Sequence, residues 1–459
     1  MPRSAEPAAA APSRAQRHVL YGAIGALAAL LLFAIPTTHA PPVRDLWVEA
    51  KTFALCYLVL QLVLWRLVRH LPHRLWQYAV FLFYAALTTR LIVLVLSVEY
   101  AVTHGFTPGV LGIDNFIWSQ RSRAIAMVLT GETYGLIRDI NIYTQYHSVI
   151  IGTNVWTGYF HYSSFNGLIV ALCGFSALAH SLPTVTIAVL LPVTILCVGR
   201  VLFPPAFAVG AALWATFAPG YIFYGTISFK DTAVALLFVS VLGLVMRPWR
   251  LTAWRFWLPV VLVVIVAIAI RDNLYLAMAG FIFLGALNWR LPRRWRWISW
   301  TLALLGGVAG SGSPTRGVLA WVLNYLAVPA LSWLFTPVGA LEIGWLAAMP
   351  YAPFWPLIVF IGLAGVITGW ARVPETLRLL LPMSLAYLSL VASEYLGGMT
   401  VVRLRLMVEW VIGGLFFWTL HLWRTSSPAA RARSQQLALL GAVLLYTAFL
   451  LYAAYNLLR

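Results

Sequence analysis

The sequence predicts an all-α polytopic membrane protein of about thirteen transmembrane helices, with a long outer loop that carries juxtamembrane helices. Three observations predict it. Of the 459 residues, 62% are hydrophobic and 10% charged, against about 45–50% and about 25% in globular domains. Apolar stretches near the roughly 20 residues that a helix needs to cross a bilayer recur along the chain. The 31 Lys and Arg sit mostly in short runs between those stretches. A net charge of +18 would suggest nucleic acid on a soluble protein. In this pattern it reflects topology and contact with anionic lipid instead.

The predicted spans are 19–36, 47–66, 77–97, 183–201, 204–223, 228–246, 256–270, 275–289, 297–312, 347–370, 378–396, 403–422 and 436–456. The basic, Ala/Pro-rich residues 1–18 read as a disordered cytoplasmic tail. "TTHA" at 37–40 resembles a signal-peptide cleavage site, but Pro41 directly after it argues against cleavage. The chain then divides into N-terminal membrane helices at 19–76, a central membrane module at 77–312 that includes an outer loop at 99–182, a second outer loop at 313–346, and C-terminal membrane helices at 347–459. Cys56, Cys173 and Cys197 all lie in apolar stretches without CxxC or zinc spacing, so they read as packed small side chains.

Basic runs fix orientation, because Lys and Arg near helix ends mark the cytoplasmic side. The runs are Arg3, Arg14 and Arg17; Arg66, Arg69 and Arg74; Arg247, Arg250 and Arg255; Arg290, Arg293, Arg294 and Arg296; Arg372 and Arg378; Arg424, Arg431 and Arg433. All share one side only if an even number of segments cross between 74 and 247. The 15-residue stretch 166–180 is the weakest and reads as dipping into or lying on the outer leaflet. Arg200 then also falls inside. Of the 13 Asp and Glu only Glu6 and Glu375 are inside. Acidic residues do not drive orientation, so their outward bias points to chemistry on that face.

The outer face gathers Asp114, Arg121 and Arg123; Glu132, Arg138 and Asp139; Lys230 and Asp231, which open the segment 228–246; Arg271 and Asp272; Arg316; Glu342; and Glu394, Arg403, Arg405 and Glu409. Ionisable groups are costly at membrane depth. Taken singly, each pair reads as an interfacial anchor, and Arg405 with Glu409 as an i,i+4 pair. Taken together, they suggest a site for a charged ligand. Within the outer loop, "FIWSQRSRAIAMVL" suits an interfacial amphipathic helix. "NIYTQYHSVIIGTNVWTGYFHYSSF" offers aromatic and amide side chains that stack on sugars or form an interfacial belt. His147 and His161 lack a companion metal motif, and "GGVAGSGSPTRG" lacks the Lys-Ser/Thr of a phosphate loop. No HExxH and no nucleophile elbow occurs.

Three stretches carry a resemblance: "GIDNFIWSQRSRAIAMVLTGE", "RVLFPPAFAVGAALWATFAPGYIFYGTISFKDTAVALLF" and "GGMTVVRLRLMVEWVIGGL". In order and sidedness they resemble the membrane glycosyltransferases of the GT-C superfamily, which use polyprenyl-phosphate sugar donors. The resemblance covers about residues 77–425. It implies a GT-C-like fold with 77–312 as the catalytic module, Asp114 at the catalytic acidic position and Asp231 at the second. It further implies a multi-pass protein of the bacterial inner membrane, with a cytoplasmic N-terminus and a periplasmic active site. Three predicted spans precede the first acidic loop where many members have one. A divalent cation (Mg or Mn) is the cofactor the resemblance would bring, but no D-x-D pair stands at 231 to hold it.

Sugar transfer needs a base for the acceptor proton, for which Asp114 is the candidate. It also needs cations for the departing phosphate: Lys230, Arg271, Arg403 and Arg405, with Arg316 and Arg138 behind them. Asp231, Glu132, Asp139, Asp272 and Glu394 are supporting acidic residues. The expected partners are a polyprenyl-phosphate-linked sugar, a glycan or lipid acceptor and membrane lipid, and no nucleic acid. A polysaccharide polymerase or ligase, in which arginines are the main actors, and a lipid-linked sugar transporter or flippase remain alternatives.

Overall fold

The computed structural model describes residues 13–33, 45–103, 113–132, 160–226, 231–245, 354–378 and 399–457, together with Leu258, Val261, Ile298, Thr301, Leu380, Leu381 and Ser384. Among them every regular element is helical, and no strand occurs. The order is α1 (Arg14–Phe33), α2 (Leu46–Val68), α3 (His73–Thr103), α4 (Ile113–Thr130), α5 (Phe160–Cys173), α6 (Ala177–Leu202), α7 (Pro205–Phe217), α8 (Pro219–Tyr224), α9 (Asp231–Val245), α10 (Trp355–Thr368), a 3₁₀ turn (Trp370–Arg372), α11 (Met399–Thr425) and α12 (Pro428–Leu457).

Four described helices are long and apolar enough to cross a membrane: Leu46–Val68, His73–Glu99, Ala177–Leu202 and Leu406–Thr425. The predicted span 275–289 and the second outer loop lie outside the described residues, as do nearly all of 256–270, 297–312 and 378–396. Local chemistry sets several boundaries. The Asp45 carboxylate caps α2 by accepting from the N–H groups of Trp47 and Val48. Ser176 caps α6 by accepting from the N–H of Ala179. Gly174, at φ 97° and against Val48, makes the turn between α5 and α6 that splits the predicted segment 166–180. The three cysteines are free, with Cys56 and Cys173 buried and Cys197 half-buried.

Contacts give each helix a direction. Arg14 donates to the Leu71 carbonyl (2.9 Å), and Tyr57 donates to that of Gly22 (2.7 Å), so α1 and α2 are antiparallel. Leu75 and Arg200 line one cleft. Thr376 donates to the Leu202 carbonyl, and Arg372 to Ser426 Oγ (3.2 Å). Arg14, Arg74, Arg200, Arg372 and Arg424 therefore belong to one end of the bundle, called here the basic end. α1, α3, α7 and α12 run away from it, whereas α2, α6, α9, α10 and α11 run toward it. The core lies where α3, α6, α7, α9 and α11 meet, with Trp76, Phe83, Phe207, Tyr221 and Trp410 among its buried rings.

Where α7 packs on α11, ring meets backbone. A Cβ at Gly413 would overlap Trp214, one at Gly414 would press on Phe207, and one at Gly210 would overlap Phe417. Small residues allow this approach in membrane helices. Gly413→Leu is expected to lower stability by about 3 kcal/mol, the upper end for overpacking. Leu440→Ala on the exposed face of α12 should be nearly silent. Thermal denaturation in detergent checks the contrast.

Candidate functional site

The segment 204–223, predicted as one span, is two helices broken at Ala218–Pro219. The cause is local. Pro219 has no N–H, so the carbonyl of Ala215 loses its donor four residues on. Arg90, from the middle of α3, supplies replacements. Its Nη2 donates to the carbonyls of Ala215 (3.0 Å) and Tyr221 (3.3 Å), and its Nη1 to those of Ala86 (3.2 Å) and Thr216 (3.5 Å). The side chain is 0% exposed. No carboxylate pairs with it among the described residues. The carbonyl end of α7 carries partial negative charge, which offsets the buried cation. Gly225 completes the junction: a Cβ there would stand 2.9 Å from Arg90 Nε and 2.8 Å from Ala188 Cβ.

The broken helix is fastened to α11. Tyr221 Oη donates to the Leu406 carbonyl and accepts from the Trp410 N–H (3.1 Å). Trp214 Nε1 donates to Glu409 Oε1 (3.1 Å), and Glu409 is 0% exposed. Because Gly225 lies against Ala188 and Gly243 against Val198, α9 returns toward the basic end alongside α6. Ala188 is about 21 Å from Leu202 along the α6 axis, at about 1.5 Å per residue. α6 continues roughly 16 Å beyond Ala188 to Ala177. The hairpin α7–α8–α9 thus turns back part-way along α6.

Some predicted site residues fall at one level of the bundle. Asp231 is the first residue of α9 and is 0% exposed, so it stands inside the bundle rather than at an open rim. Arg405 immediately precedes Leu406 on α11, and Arg403 lies within one turn of it, so both are level with α8. Asp114 opens α4, and Glu132 lies just past its end and is exposed. α4 packs along α5. It reaches α6 through Ser122, whose Oγ is 3.2 Å from His180 Nε2, and through Arg123, which lies 4.2 Å from the Phe175 ring centre. Among the described residues α4 has no extensive contact with α7, α8, α9 or α11. Arg138, Asp139, Lys230, Arg271, Asp272, Arg316 and Glu394 lie outside the described residues.

The interfacial reading of α4 meets a difference. Ser119, Gln120, Ser122 and Arg123 are buried, and Arg123 donates to Ser119 Oγ (3.0 Å). The polar residues are packed together with Ala124, Ile125 and Ala126, because α5 and the start of α6 cover the helix and offer it the His180 ring and the Phe175 ring. Two ionisable residues escaped the sequence reading. Arg90 was detectable as a lone cation in "ALTTRLIVLVL". Glu49, 0% exposed and accepting from Ser176 Oγ (3.3 Å), looks in sequence like an ordinary helix-start acid.

No family model matches the chain, and no curated protein or solved structure matches it. Around α8, the N-terminus of α9 and the first turns of α11 bring partial positive charge, two arginines and one carboxylate to one level, a combination suited to an anion. Among the described residues, no three His, Cys, Asp or Glu side chains cluster as a metal site.

Proposed function

We infer that the protein is a membrane glycosyltransferase. It moves a sugar from a polyprenyl-phosphate donor to a hydroxyl of a glycan, lipid or protein acceptor, on the side of a bacterial inner membrane away from the basic end. The observation that supports this reading is that Asp231 at the start of α9 and positions 403 and 405 at the start of α11 lie at the level of the broken helix. In the transfer, the bond from the anomeric carbon to the phosphate oxygen breaks, and a bond from that carbon to the acceptor oxygen forms. The departing phosphate keeps the electron pair. Lys230, Arg271, Arg403 and Arg405 stabilise it, with Arg316 and Arg138 behind them. The acceptor proton passes to Asp114. Asp231, Glu132, Asp139, Asp272 and Glu394 support these groups. The polyprenyl chain lies among apolar helices, and no step is routed through a metal.

The test uses the purified full chain with a panel of polyprenyl-phosphate sugars, read by mass spectrometry. Sugar-free polyprenyl phosphate should accumulate with at least one donor; a panel with no donor bound or consumed would remove the reading. The broken α7–α8 and the part-way start of α9 favour one alternative, a transporter of lipid-linked sugars, since transporters build midplane sites from discontinuous helices. Intact donor crossing a liposome membrane without loss of sugar would identify that case.

A further inference from the structure

At the basic end, α3, α6 and α7 leave a cleft of about 270 Å³ between them. Leu75, Leu196, Val201, Pro205, Ala208 and Val209 give it apolar walls, and Arg200 stands in the lining. Three features make it more than a packing gap. Arg200 is exposed, as is Arg74, the neighbour of Leu75, and neither forms a hydrogen bond or ion pair among the described residues. By contrast Arg14, Arg69, Arg372 and Arg378 donate to protein acceptors nearby. The start of α7 is also unsatisfied from its own side chains: Pro204 occupies the cap without a side-chain hydrogen bond, and Pro205 follows at the first helical position. Neither proline has an N–H, so the first-turn donors are those of Ala206 and Phe207, at the positive end of the helix. Apolar walls, the Arg200 cation and a helix start thus meet at one mouth, with Arg74 next in sequence to the lining residue Leu75.

We propose that this cleft binds an anionic phospholipid, with an acyl chain against Leu75, Leu196 and Val209 and the phosphate between Arg200, Arg74 and the start of α7. Charge complementarity selects the occupant: a zwitterionic lipid fills the apolar walls equally well but brings no net charge to the arginines. The site lies at the opposite end of α7 from the Arg90 junction, so it is independent of sugar transfer.

The test is native mass spectrometry of the full chain in detergent, titrated with phosphatidylglycerol or with phosphatidylcholine of the same acyl chains. Phosphatidylglycerol should bind about 30-fold more tightly, as two arginines near an anionic headgroup would give. The double variant Arg74→Gln/Arg200→Gln should bring it down to the phosphatidylcholine level. Val209→Trp, which fills the cleft, should weaken both lipids, while Arg433→Gln on α12 should change neither. Equal binding of the two lipids, or a phosphatidylglycerol preference that survives the double variant, overturns the proposal. So does full displacement of phosphatidylglycerol by inorganic phosphate, which would make the occupant a free anion. The arginine variants alter exposed side chains only, so folded protein remains available for the comparison.

Discussion

Arg90→Leu is expected to destabilise the protein by about 1–3 kcal/mol, because the buried carbonyl of Ala215 loses its donor, whereas that of Tyr221 keeps the Gly225 N–H (3.1 Å). Leucine fills much of the same volume, so a cavity is not the main cost. Exchanging a complete buried ion pair for apolar groups is often neutral, since both charges leave together. Here the acceptors are backbone, and Pro219 guarantees that one of them has no helical substitute. Arg90→Lys should fall between wild type and leucine: the charge stays, but one ammonium cannot reproduce the planar fork that reaches both helices. Thermal unfolding in detergent, followed by size-exclusion of the soluble fraction, should rank wild type above lysine above leucine. A leucine variant as stable as wild type would mean that Arg90 does not hold the break.

The second large effect is catalytic. For the proposed glycosyltransferase, Asp114→Asn keeps the shape of the side chain and removes the proposed proton acceptor, so turnover should fall by about 10²–10⁴ while donor binding persists. Arg403→Gln and Arg405→Gln should each lower turnover by about 10²–10³ and also weaken the donor, because a phosphate is charged before and after the bond breaks. Single-turnover kinetics with donor binding measured separately would resolve the two patterns. Full activity in Asp114→Asn would remove it as the base and favour the polymerase or ligase reading, in which arginines dominate.

Much of the fold is legible in hydropathy. The long apolar runs at 47–66, 77–97 and 183–201 lie within α2, α3 and α6, and the last 20 residues of α11 form a fourth helix of spanning length. What averaging over a window cannot detect is a single residue that changes geometry. "APGY" sits inside a run of high hydropathy, yet Pro219 splits it, and the split becomes visible only once the missing N–H is counted. Arg90 is the other half of the same fact: a lone cation in a span needs acceptors, and a proline break leaves one. In the site, Arg403, Arg405 and Asp231 were recognisable as charges at segment starts. Their common level depends on how α11 packs on α7 through Gly413 and Trp214, a contact between residues far apart in sequence. The burial of the polar face of α4 was not legible, because composition does not say whether hydroxyls face water or each other.

The account depends most on sidedness, and a cysteine map tests it most directly. With Cys56, Cys173 and Cys197 replaced, single cysteines at Asp114, Lys230 and Arg405 and at Arg74, Arg200 and Arg424 can be labelled from either face of sealed vesicles with a membrane-impermeant reagent. The first three are expected to label from the side opposite to the second three. Labelling of the Asp114→Cys and Lys230→Cys variants from opposite faces would contradict it.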